Sequence, residues 1–181
     1  MLRKTIGLLL IFVLISCGTS KKRTYSKTRT VTVEGSSEET NLTPKISKKE
    51  KKKNRKATEV VATAMTFSGT RYKFGGTTRK GMDCSGLVFT SLQEHDIAFP
   101  RTSYQMAEMG KRIKVGQVQK GDLLFFKTSK SGKRINHVGL VVDVKGDDIK
   151  FIHSTTSRGV IVSSLREGFW NYSFVKATRI L

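Results

Sequence analysis

The chain has 181 residues, 34 of them Lys or Arg and 14 Asp or Glu, for a formal net charge of +20. Only two cysteines exclude a disulfide-stapled scaffold. A hydrophobic fraction of 37% with just two prolines excludes a wholly disordered or collagen-like chain.

So strong a basic balance raises nucleic acid as a partner, and the first residues argue against it. Arg3 and Lys4 precede the apolar run Ile6–Ile15, which ends at Ser16-Cys17. A basic head, an apolar run of about ten residues and a small residue form an export signal. The run is too short to span a membrane, which takes about 20 residues. Leu14-Ile15-Ser16-Cys17 resembles the bacterial lipobox. Residues 1–16 therefore read as a lipoprotein signal peptide and Cys17 as the lipid attachment site. An exported chain does not meet nucleic acid; its polyanions are lipid headgroups, lipopolysaccharide phosphates and wall carboxylates.

Residues 17–56 carry 13 basic against 4 acidic side chains and show no apolar periodicity. Such a segment cannot bury enough surface to offset its ordering entropy. It reads as a flexible basic tether behind the lipidated Cys17, with a mean span of about 35 Å. The run Lys48–Lys56 either touches an anionic surface or opens the first helix as a solvated face, and the second is favoured.

From Ala57 to Leu181 the pattern is that of one folded domain. Val60, Val61, Ala64, Met65 and Phe67 suit one face of a helix, stopped by Gly69. Arg71–Gly76 is a loop. Cys84–His95 reads as a second helix with Leu87, Val88 and Leu92 on one face. Thr102 or Ser103 caps a short third helix that ends at Gly110. Strands follow at Asp122–Phe126, His137–Val144, Ile149–Thr155, Val160–Leu165 and Phe174–Arg179, rich in β-branched and aromatic residues. Helices first and strands after predict an α+β fold, with the helices packed on one side of an antiparallel sheet.

The chemistry concentrates at Gly81-Met82-Asp83-Cys84-Ser85-Gly86-Leu87, where a loop enters a helix. Unpartnered N–H groups at a helix start carry partial positive charge. They favour a thiolate and can bind the oxyanion formed when it attacks a carbonyl. Gly86, having no side chain, leaves room for substrate there. A thiol nucleophile needs a base that later protonates the leaving group, and His suits both steps. His95 lies at the far end of the Cys84 helix, roughly 16 Å away, and is out of reach. His137 and His153 flank a turn near Lys145-Gly146-Asp147. A turn centred on Gly146 would place them directly opposite each other, with Cβ atoms about 5 Å apart. A one-residue slip would send them to opposite faces. The geometry permits Cys84 as nucleophile, His137 as base and His153 as the group that orients it. One cysteine and scattered histidines lack metal-site spacing, so neither metal nor cofactor is expected.

From about Arg71 onward the chain resembles the NlpC family of papain-like cell-wall cysteine peptidases. The resemblance rests on six stretches: 72–76 (YKFGG), 83–88 (DCSGLV), 100–103 (PRTS), 121–126 (GDLLFF), 137–139 (HVG) and 151–155 (FIHST). With the lipobox and the length, it is nearest to the lipoprotein murein endopeptidases. The resemblance implies a papain-like hydrolase of peptidoglycan stem peptides or cross-links with Cys84, His137 and His153 as its triad. It also implies that Tyr72 points its hydroxyl into the cleft and that Asp83 and Ser85 hold the amino end of the peptide. Arg101 either pairs with a substrate carboxylate or fixes a loop, and the loop is favoured. A monomer is expected, joined to the membrane through its N-terminal lipid. No Asp follows Cys17, so the expected site is the outer membrane, facing the periplasm. The competing expectation is a catalytically silent lipoprotein that binds wall peptide.

Overall fold

The computed structural model describes residues 47–129, 131–132 and 134–181. The signal segment, Cys17 and nearly all of the tether lie outside the described residues. Helix α1 (Lys48–Thr66) starts at Ser47, whose hydroxyl accepts the Glu50 N–H at 3.2 Å and so satisfies one free helix-end donor. Residues 48–55 are exposed, so the basic run does open the helix. Beyond it, Ala57, Val60, Val61 and Ala64 form the buried stripe of a 3.6-residue period. Met65, expected on that stripe, is one position off it and is 41% exposed.

Two short strands, β1 (Thr77–Thr78) and β2 (Gly81–Met82), form a small hairpin immediately before α2 (Cys84–Gln93). The remaining elements are α3 (Ser103–Met106), β3 (Lys111–Ile113), a single 3-10 turn (Val115–Gln117), β4 (Leu123–Phe126), β5 (His137–Lys145), β6 (Asp148–Thr155), β7 (Gly159–Ser164), α4 (Gly168–Ser173) and β8 (Phe174–Arg179). Strands β3 to β8 form one antiparallel sheet in the order β3-β8-β4-β5-β6-β7. The fold is α+β, as the order of helices and strands predicted. Strands β1, β2 and β3 and helix α4 were not anticipated, because two to six residues are too few to display a period.

Alternation along the strands divides the core in two. Val138, Leu140 and Ile152 face Val60, Ala64, Leu87, Val88 and Leu92 of α1 and α2. Their strand neighbours Val141 and Phe151 face the other way and join Leu124, Phe126 and Trp170. The two long helices thus cover one face, while α4 brings Trp170 to the other.

The β5–β6 hairpin departs from the expected register. Its turn holds two residues, Gly146 and Asp147, with Lys145 opposite Asp148 and Val144 opposite Ile149. Continued without interruption, that pairing would put His137 and His153 on opposite faces. A bulge between Val141 and Asp143 inserts one residue and restores the parity: Val141 pairs with Phe151 and Leu140 with Ile152. The histidines consequently share a face as diagonal rather than direct neighbours.

Candidate active site

Cys84 is the first residue of α2, and its position is held from several sides. Asp83 caps the helix: its Oδ1 accepts the Gly86 N–H at 2.6 Å and its Oδ2 the Gly75 N–H at 2.7 Å. Arg101 forks across the same carboxylate, at 3.0 Å to Oδ1 and 2.9 Å to Oδ2. It also donates to Ser85 Oγ at 2.8 Å and to the Gly76 carbonyl at 3.3 Å. Arg101 therefore fixes a loop to the start of α2, as favoured from the sequence. On the other side Ser154, next to His153, donates its hydroxyl to the Met82 carbonyl at 2.8 Å. Gly86 has a packing reason that the sequence did not reveal. A Cβ there would lie 2.0 Å from the Gly76 carbonyl oxygen, so the missing side chain makes room for the neighbouring backbone rather than for a substrate.

His137 opens β5 and His153 lies near the end of β6. His137 Nε2 and His153 Nδ1 are 2.9 Å apart. Both rings are buried, and Trp170 packs against each: stacked on His137 at 5.1 Å and edge-on to His153 at 4.4 Å. His153 Nε2 is buried with no hydrogen-bond partner among the described residues. His95 stands apart from this group, with its Nε2 2.9 Å from the Thr63 hydroxyl of α1. Trp170 escaped sequence analysis, although it is the only tryptophan in the chain. An aromatic residue between two strands carries no periodic signal.

Cys84 and His137 line one cavity of about 470 Å³ together with Tyr72, Asn136, Arg158 and Trp170. A second cavity of about 560 Å³ adjoins it at Cys84, lined by Tyr72, Phe74, Asp83, Cys84, Ser85 and Tyr104 among others. Cys84 thus borders both cavities while also packing, half-buried, against the core. Tyr72, Cys84 and Asn136 belong to both halves. Each of the residues proposed from the sequence within the domain therefore lines the cleft, except His153, which backs His137 from behind.

Burial dominates the electrostatics. It pushes the Cys84 thiol up to about 11 against the backbone N–H of Val138; the Asp83 charge raises it further, and the N–H groups of Ser85 and Cys84 itself lower it. The helix-end effect anticipated from sequence is present but loses to desolvation, because a buried thiolate gives up more hydration than those N–H groups replace. Burial likewise holds His137 down to about 4. Burial, the His137 charge and the Arg158 charge hold His153 down to about 3. The resting groups are therefore a neutral thiol and two neutral imidazoles. Burial alone would raise Asp83, but Arg101 and the Gly86 and Gly75 N–H groups outweigh it and keep the carboxylate below its ordinary range. Tyr72 is raised by burial and by the nearby Cys84 and Asp83 charges.

A cysteine at a helix start, lining one cleft with a histidine that is itself paired to a second buried histidine, defines the papain-like class. The NlpC/P60 family model matches residues 69–179, and the chain belongs to that family. Among relatives, it is 38% identical over 116 residues to the murein DD-endopeptidase MepS/murein LD-carboxypeptidase of Escherichia coli K12. That match covers 64% of this chain and 58% of the relative, so the chain spans less than two thirds of MepS. It is 41% identical over 116 residues to the probable endopeptidase NlpC of the same organism, covering 64% of this chain and 72% of that one. A solved NlpC/P60 family protein from Bacillus cereus superposes with a TM-score of 0.62 at 29% identity, covering 68% of this chain and 39% of the other.

Proposed function

We propose that this chain is a peptidoglycan endopeptidase that hydrolyses amide bonds of stem peptides or their cross-links by a thiol mechanism. Cys84 is the nucleophile, His137 the base and His153 the residue that orients it. The observation that carries this reading is the shared cleft: Cys84 and His137 line one cavity, and His137 is bonded from behind by His153. The relatives named as murein endopeptidases and the family match support it.

His137 Nε2 is occupied by His153, which leaves Nδ1 as its one free ring nitrogen. In the tautomer that donates Nε2–H to His153, Nδ1 carries a lone pair and accepts the Cys84 proton. Because the resting thiol is neutral, this transfer accompanies attack on the peptide carbonyl. The N–H groups at the start of α2 stabilise the oxyanion. His137 then gives its proton to the departing amine, activates water against the thioester, and the free thiol is restored. Asp83 and Ser85 border the half of the cleft that takes the acyl part, and Tyr72 faces both halves.

Residues 1–16 are proposed as the signal peptide, Cys17 as the lipidated residue and 17–56 as the tether of the domain 57–181. The product is a lipoprotein of the outer membrane facing the periplasm, acting as a monomer. Cys84→Ser is expected to abolish release of fragments from purified wall without changing the unfolding midpoint. An unchanged fragment profile by mass spectrometry refutes the thiol mechanism. Cys17→Ala is expected to move the protein from the membrane to the soluble fraction, and continued sedimentation with membranes refutes the anchor.

A further inference from the structure

The two halves of the cleft differ in which end of a peptide they receive. His137 must hand its proton to the leaving amine, and it lines only the 470 Å³ half. The leaving residue therefore sits in that half. One side of its wall is formed by residues 154–158, where the chain passes from β6 into β7.

The turn is built to a fixed shape. The Thr155 hydroxyl accepts the Arg158 N–H at 3.1 Å. Gly159 follows at φ +66°, and a Cβ there would lie 2.2 Å from the Thr70 carbonyl oxygen. Val160 N–H donates to that same carbonyl at 2.8 Å. These contacts hold the backbone of Arg158 against the loop before Tyr72 and leave its side chain exposed at the cavity. Among the described residues its guanidinium makes no hydrogen bond and no ion pair. It is near enough to His153 for its charge to be felt there. Glu167 also lines this half, but its Oε1 is engaged by the Ser164 N–H at 2.9 Å, and it does not pair with Arg158.

A fixed backbone, an unpaired guanidinium and a position beside the leaving group are what recognition of a carboxylate requires. We propose that Arg158 selects substrates whose leaving residue bears a free carboxylate. This rests on the endopeptidase reading and sharpens it. A scissile bond of that kind joins the carbonyl of one residue to the amine of another that keeps its own carboxylate. That is the chemistry of a cross-linking residue or of a C-terminal amino acid.

The test compares the full chain with Arg158→Gln and Arg158→Lys on four wall-derived peptides. Two are a cross-linked dimer and a linear peptide losing its terminal residue; the other two are the same molecules with the leaving residue's carboxylate converted to a carboxamide. Arg158→Gln is expected to lower kcat/KM about tenfold on the carboxylate form of whichever substrate is cut, chiefly through KM, the loss of one charged hydrogen bond. Its effect on the carboxamide form is expected to stay within about twofold, with Arg158→Lys intermediate and all unfolding midpoints equal. Cutting of the dimer or of the linear peptide identifies the source of the carboxylate. Equal losses on both forms, or none on either, overturn the role of Arg158 while leaving the endopeptidase reading intact. If the unaltered chain cuts none of the four, that reading falls and the inference falls with it.

Discussion

Arg101→Met tests whether the start of α2 is fixed as described. The substitution keeps most of the side chain's apolar stem and removes four hydrogen bonds: two to Asp83 and one each to Ser85 and the Gly76 carbonyl. Removing one partner of a buried ion pair costs about 3–5 kcal/mol. Asp83 would retain the Gly75 and Gly86 N–H groups and the Ser85 hydroxyl. The Arg101 side chain is also 31% exposed. The expected loss is therefore about 2–3 kcal/mol, at or just below the lower end of that range. Urea unfolding of the purified chain at pH 7 measures it directly. Arg101→Lys keeps the charge without the fork and should recover only part of the loss. The double variant Asp83→Asn/Arg101→Met should be destabilised by at least about 1 kcal/mol less than the two single effects combined. Asp83 is held below its ordinary carboxylate range, so its contribution is present above that range and fades as pH falls through the folded value. Arg101→Met should flatten this acid dependence. A loss under about 0.5 kcal/mol, the size of a neutral surface change, refutes the clamp.

His153→Ala should lower kcat on wall substrate by about 10- to 100-fold, since it leaves the His137 Nε2–H unpaired in a buried site. His153→Asn, which can accept the same bond, should recover part of the rate. A kcat within twofold of the unaltered enzyme in His153→Ala refutes the orienting role. Iodoacetamide should modify Cys84 about tenfold faster for each pH unit between 7 and 10, because a thiol raised to about 11 is almost wholly protonated there. A plateau in that rate between pH 5 and 8 would instead signal a thiolate–imidazolium pair. Burial lowers both His137 and His153, so the unfolded chain takes up protons first as pH falls below about 6.5. Stability should be complete above that pH and decline steadily toward pH 4, and a Tm constant over that range would contradict the buried neutral pair.

Much of the site was legible because its chemistry is local in the chain. Asp83-Cys84-Ser85-Gly86 announces a capped helix start that carries a cysteine, and the structure contains that cap. The strands carrying His137 and His153 were visible in their β-branched and aromatic content, and the α+β order followed from the order of the periods. The register was not legible. A turn centred on Gly146 and a two-residue turn with a bulge both satisfy the sequence, and they are separated only by how Val141, Val144 and Ile149 pack.

The chain order of residue types alone determined which groups can react and which elements carry them, because capping and alternation depend on neighbours a few positions apart. Tertiary structure decided everything that depends on surroundings. Burial raises the Cys84 thiol where the helix start by itself would lower it, since desolvation is a property of everything packed around the sulfur. The Gly76 backbone, not a substrate, accounts for Gly86. Trp170, nearly ninety residues from Cys84, came to lie against both histidines because the last helix folds back over the sheet, a contact that no local pattern encodes.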